Sequence, residues 1–173
     1  MPNAYPELPV LAFAATTVAM PDVIAYLRTL DCPTEVKRAA YIMFRIESGN
    51  GAHGVNNNYV GAQADGGRWP AQFDPLIEGT VVKTENQTGK ERIFVAFKSW
   101  HGSVDFLVDR VEQRGLFVGG TTHKVVTMTI ADEHELARAY FKEWVTGSAA
   151  REPDAGTLAT VVSIYGQAKG HFA

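Results

Sequence analysis

The sequence predicts a mainly α chain (α+β) with a small β-hairpin lobe inserted after the second helix. Three observations predict it. The 173 residues are 46% hydrophobic and 20% charged, enough apolar material for one domain spanning 1–173. Apolar residues recur at helical spacing, between start and stop signals, in roughly four to six segments. Two short β-rich runs flank a single Asn86-Gln-Thr-Gly89 turn.

The elements follow in order. Pro21 and Asp22 suit the first turn of a short helix over about 21–30. Asp31 can cap a second helix, with Pro33 and Thr34 near its start, that runs to about Ser48. Gly49, Asn50 and Gly51 stop it. Residues 49–79 hold glycine, asparagine and aromatics without a sustained period and read as ordered loop. Thr80–Thr84 and Glu91–Ser99 read as paired strands, the second turning Ile93, Val95 and Phe97 one way and Phe94 and Ala96 the other. Ser103 is expected to cap a helix over 104–114, with Phe106, Leu107 and Val111 inward. The stretch 125–130 fits strand or helix equally. Asp132 is expected to cap a helix to Val145 that buries Leu136, Tyr140 and Trp144, and a final helix covers about 157–168.

Composition excludes several classes. Sixteen Lys+Arg against 19 Asp+Glu leave a net charge of −3, which argues against a general nucleic-acid binder. The one cysteine, Cys32, allows neither an intrachain disulfide nor a thiolate zinc cluster. Five scattered histidines stand at no standard zinc spacing, so no metal is expected. The apolar stretch Leu8–Met20 is too short to span a bilayer and lacks a basic flank, so no clear signal peptide and no membrane span is expected. It reads as a segment packed on the domain surface.

Glu47 is the most informative residue. Val36, Ala40, Met43 and Glu47 stand at i, i+4, i+7 and i+11, on one helical face. That places a carboxylate beside the stripe that enters the core, in the last turn of the helix. Burial and the negative end of the helix dipole both disfavour its charge. General-acid chemistry needs such a carboxyl group. The bland alternative is a helix-end glutamate turned to solvent or paired with an arginine such as Arg45.

The surroundings favour a sugar ligand. Tyr59, Trp69, Phe73 and Trp100 lie in or beside the loop and hairpin, and ring faces stack on the C–H faces of pyranoses. Cleavage of a glycosidic bond normally recruits a second carboxylate. Asp65, Asp74, Glu78, Glu85 and Glu91 are the candidates, and spacing does not choose among them.

Three blocks then show a resemblance. Ile46-Glu-Ser-Gly-Asn-Gly51, Asn56-Asn-Asn-Tyr-Val-Gly61 and Phe97-Lys-Ser-Trp100 with Ser103 resemble, in order and spacing, the glucosaminidase-type peptidoglycan hydrolases, family 73 of the glycoside hydrolases. The likeness covers about 35–115. It implies a lysozyme-like fold, Glu47 as the general acid, and a sugar site shaped by Asn57, Asn58, Tyr59 and Gly61. Trp69 and Trp100 join the expected sugar-binding residues. The second carboxylate of the β-lobe would match Glu78 or Glu85, with Glu85 preferred for its place at the hairpin. The family's C-terminal Tyr-Ala-Thr-Asp-type block has no counterpart here.

The expected activity is hydrolysis of β-1,4 bonds in the glycan strand of peptidoglycan, as an endo-N-acetylglucosaminidase that needs no cofactor. A lytic transglycosylase or muramidase using Glu47 is the first alternative, and a non-catalytic glycan-binding or structural protein the second. Action in the periplasm or at the cell wall follows, by a phage-encoded endolysin or an antimicrobial protein delivered by a secretion or tail apparatus. Neither a delivery nor an immunity partner can be named from the sequence.

Overall fold

A proline and an acid open the first helix, as the sequence predicts: Pro21 and Asp22 lie in its first turn, and Val23 and Leu27 are fully buried. The computed structural model describes residues 2–84, 89–114, 116–117, 124–125, 133–148 and 150–173. In chain order these form β1 (Ala15–Thr16), α1 (Met20–Thr29), α2 (Thr34–Glu47), β2 (Gly54–Val55), a 3-10 helix (Ala71–Leu76), β3 (Ile77–Thr84) and β4 (Glu91–Phe97). Then come α3 (Trp100–Arg114), β5 (Leu116–Phe117), β6 (Lys124–Val125), α4 (Glu133–Tyr140), a π-helical stretch (Phe141–Thr146) and α5 (Ala155–His171). The result is a mixed α/β fold of helices with two-stranded antiparallel sheets. Among the described residues no helix is long and apolar enough to cross a membrane.

The chain divides into two compact units. The first comprises residues 1–23 and 44–106. Its core gathers Tyr5, Ala62, Ala64, Phe73, Ile77, Val95, Phe97 and Phe106. β3 and β4 pair with Thr80 opposite Val95, Val81 opposite Phe94 and Lys83 opposite Arg92. Because side chains alternate along a strand, Val95 and Phe97 enter this core with Ile93 packed against it, while Phe94 points from the other face. The N-terminal segment lies along β3: Thr80 N donates to Pro9 O at 2.9 Å and Leu11 N to Thr80 O at 2.7 Å. Tyr5 is fully buried there, whereas Val10 and Phe13 remain exposed.

The second unit comprises residues 24–43 and 107–173. Here α4 packs on α5. Leu136 and Tyr140 are buried on α4, and Val161, Tyr165 and Ala168 on α5. Asp154 caps α5, its carboxylate accepting from Thr157 N at 2.8 Å. Arg38 donates to Phe172 O at 3.0 and 2.7 Å and pairs with Glu35, which accepts from Tyr165 Oη at 3.0 Å. The chain end is thereby tied to the first turns of α2.

Several boundaries differ from expectation: β3 begins at Ile77, inside the stretch read as loop, and α4 gives way to the π-helical stretch after Tyr140. α3 begins at Trp100, so Ser103 lies a turn inside it and is no cap. Fully buried, its hydroxyl accepts instead from Tyr59 N at 3.0 Å. α5 runs from Ala155 to His171, longer at both ends than predicted, because Asp154 caps earlier and the helix continues through Gly170. The Asn86-to-Gly89 turn (up to residue 88), Asp132 and the stretch 126–130 lie outside the described residues, as does the side chain of Trp144.

Candidate functional site

Helix α2 delivers Glu47 to a cleft rather than to the core. Val36, Ala40 and Met43 are buried, as the spacing predicts, but Glu47, next in the row, is exposed. The expectation that burial holds this carboxyl is therefore corrected. The cause is local. Gly49 and Asn50 take positive φ of 56° and 60°, and Asn50 N closes the helix end onto Arg45 O at 2.9 Å. Ser48 takes the inward position, its hydroxyl donating to Phe44 O and accepting from Gly51 N at 2.8 Å. The Arg45 guanidinium turns to Asn50 Oδ1 at 2.6 Å.

Glu47 lines an open cavity of about 120 Å³ together with His53, Val55, Asn58, Tyr59, Gly61, Lys83 and Phe94. All of these belong to the first unit. The loop 49–61 supplies one part of the wall, and the face of the hairpin turned from the core supplies the other.

The asparagine run is a turn. Val55 and Asn58 exchange backbone hydrogen bonds of 3.1 and 2.9 Å, and Asn56 and Asn57 have φ of 48° and 60°. Two successive left-handed residues make a type I′ turn, and asparagine tolerates that conformation better than most residues. Each side chain serves the backbone. Asn56 bridges Ala12 O and Ala14 N at 3.0 Å each. Asn57 Nδ2 donates to Phe97 O at 3.1 Å. Asn58 Nδ2 donates to Ala62 O and Val95 O at 2.9 Å each, while its Oδ1 accepts from Val60 N and Ala62 N at 3.2 and 3.1 Å. These four bonds use the full capacity of the amide. Asn58 thus shapes the cleft without a spare group for a ligand.

Tyr59 is 2% exposed and stacks on Phe44 with ring centroids 5.3 Å apart. Burial pushes its hydroxyl above the ordinary tyrosine range. The ring leaves no room at Gly54, where a Cβ would stand 2.5 Å from it. Gly61 has φ of +64° and opens onto free space, so it adds width to the cleft.

Other residues picked from the sequence are placed elsewhere. Asn57 and Glu78 do not line the cavity; Glu78 is exposed at the bulge between Ile77 and Gly79. Trp69 packs edge-on against Phe106 at 4.6 Å and donates from Nε1 to Gln63 O at 2.8 Å. Trp100 stacks on His101 at 3.7 Å. Asp65 is buried in a two-pronged pair with Arg92, at 2.6 and 3.0 Å, which holds its carboxyl below the usual range. Asp74 pairs with Arg68 at 3.0 Å. Glu85 lies outside the described residues. Burial pushes the Cys32 thiol up, away from the thiolate a nucleophile needs.

His53, Val55, Lys83 and Phe94 join the cleft without having been picked out as site residues. For Phe94 a signal existed, since the alternation of β4 turns it from the core. Lys83 shares that face, diagonal to Phe94 through the pairing of Val81. No protein-family model, no curated protein and no solved structure matches the chain.

Proposed function

We propose that the chain is a peptidoglycan glycoside hydrolase of the glucosaminidase type on a lysozyme-like fold, cleaving β-1,4 bonds after N-acetylglucosamine with Glu47 as general acid. One observation carries the reading. The carboxylate at the end of α2 opens into a cleft whose other walls are the Asn-Tyr-x-Gly block and the β-hairpin, the same segments on which the resemblance rests. Phe94, half-buried on the cleft wall, offers ring surface to a pyranose, while the buried Tyr59 ring backs the cleft against Phe44; in this reading Glu47 gives its proton to the leaving oxygen. A glycan laid across the cleft excludes water from that carboxyl, the circumstance in which an acid keeps its proton until the bond breaks.

A lytic transglycosylase or muramidase is the second reading, and an observation favours keeping it. Among the described residues that line the cleft, Glu47 is the one carboxylate. Hydrolysis by the two-carboxylate route requires a second, and Glu85, two positions beyond Lys83, is the candidate. A transglycosylase works with one, because a hydroxyl of the sugar itself closes an anhydro ring. Mass analysis of the fragments released from purified sacculi decides. Reducing N-acetylglucosamine ends support the glucosaminidase, anhydro-muramyl ends the transglycosylase. Sacculi that bind the protein and release nothing would leave a glycan-binding protein.

A further inference from the structure

We infer that Lys83 makes the cleft selective for glycan strands that carry a carboxylate on the muramyl substituent, so that neutral β-1,4 glycans bind more weakly. The inference rests on the glycan reading above and names the feature of the strand that the site reads.

The β-hairpin brings two cations to the face that looks away from the core, Arg92 and Lys83, which stand opposite each other in the ladder. Arg92 is committed. Its guanidinium holds the buried Asp65 carboxylate at 2.6 and 3.0 Å and Gln63 Oε1 at 2.5 Å. Lys83 is exposed and lines the cavity with Glu47 and His53, and among the described residues no ion pair engages its ammonium. The two hairpin cations therefore divide the work: one fixes the hairpin, the other faces the ligand space.

Electrostatics assigns that ammonium a ligand. A strand carboxylate that enters the cleft meets the like charge of Glu47 whenever that group is ionised, which opposes binding. A lysine on the same wall offsets that repulsion. An ammonium is a mobile point charge with three donors, suited to a carboxylate whose position varies along a polymer. The exposed His53 adds a further polar group to the same cavity. A neutral glycan gains nothing from Lys83 and must leave the ammonium hydrated. The carboxylate has two sources with one chemistry: the lactyl acid of a strand without peptides, or the acidic residues of a stem peptide.

The test measures binding in the Glu47→Gln background, so that it does not depend on turnover. Three probes are used: peptidoglycan strands with stem peptides, strands stripped of peptides that carry free lactyl acids, and chitohexaose. The result expected is that one or both carboxylate-bearing strands bind about tenfold more tightly than chitohexaose. Adding Lys83→Met brings the ratio to about one. Lys83→Arg keeps it, and raising the salt lowers it. Preference for the peptide-bearing strand alone assigns the stem peptide; preference for both assigns the lactyl group. A ratio near one before Lys83 is changed, a ratio that survives Lys83→Met in a folded protein, or no binding to any probe overturns the inference. Failure of the catalytic reading shows elsewhere, in a wild-type protein that keeps the binding ratio and releases no fragments.

Discussion

Glu47 and Asn58 line the same cavity, yet they hold opposite positions in it. Glu47 is exposed at a helix end, so Glu47→Gln should change unfolding free energy by no more than about 0.5 kcal/mol. Asn58 is 6% exposed and satisfies four backbone groups. Asn58→Ala leaves those groups without their partner and should cost about 3 kcal/mol, measured by denaturant unfolding. Both substitutions are expected to abolish lytic activity, and only Asn58→Ala through the fold. At this scale the place of Glu47 at the end of α2 was legible, because Gly49-Asn-Gly51 marks where its helix stops, but its exposure was not, because the i, i+4, i+7, i+11 row pointed it to the core. For the asparagines it marked a cleft-shaping block but not how each side chain is used. An amide that binds sugar and an amide that braces a turn have the same letter and the same neighbours, and the left-handed φ of Asn56 and Asn57 and the backbone bonds of all three side chains tell them apart.

The elements that build the cleft are the type I′ turn, the loop behind α2 and the β-hairpin. In the turn, Asn57→Val and Asn57→Gly both lose the bond to Phe97 O, but only valine resists the left-handed backbone. Valine should therefore be the less stable of the two by about 1–2 kcal/mol. Behind α2, Gly51 has φ of +82°, and a Cβ there would sit 2.2 Å from Val18 O. Gly51→Ala should loosen the contact between this loop and the N-terminal segment, seen as faster amide exchange at Val18, which donates to Gly51 O at 2.9 Å. The hairpin is tied to the loop by Asp65 and Arg92. Arg92 lowers the folded-state pKa of Asp65, so this stabilisation is complete above the unfolded value of about 3.9 and is lost as pH falls through the lower folded value. The unfolding midpoint should drop below about pH 4. Asp65→Asn should lower the midpoint at neutral pH and flatten that acid dependence. Caps and breakers made α1 and α2 readable to within about a residue or two. Lys83 was not readable as a cleft residue. Alternation told which strand residues leave the core, but not that loop 49–61 meets that face.

Across the whole molecule, the mixture of helices with a β-hairpin at β3 and β4 was legible, because period 3.6 and period 2 alternate along the chain with glycine and proline between them, while the two-residue pairs β1–β2 and β5–β6 were too short to show a period. The π-helical stretch after α4 was not, since Phe141–Thr146 continues the apolar pattern of a plain helix. The functional account makes a prediction at this scale. If hydrolysis uses a second carboxylate, Glu85→Gln lowers kcat by at least about a hundredfold with the fold intact, and Glu78→Gln, outside the cleft, changes it less than about twofold. If the sugar closes its own ring, both are mild and the fragments end in anhydro sugars. The central claim is that Glu47 donates the proton that breaks the glycan, and one comparison tests it most directly. Wild type and Glu47→Gln are incubated with purified sacculi while soluble fragments are quantified by mass and folding is checked by circular dichroism. The account predicts that wild type releases disaccharide fragments and that Glu47→Gln, equally folded, releases at least about a thousandfold less. Equal release by the two proteins would contradict it.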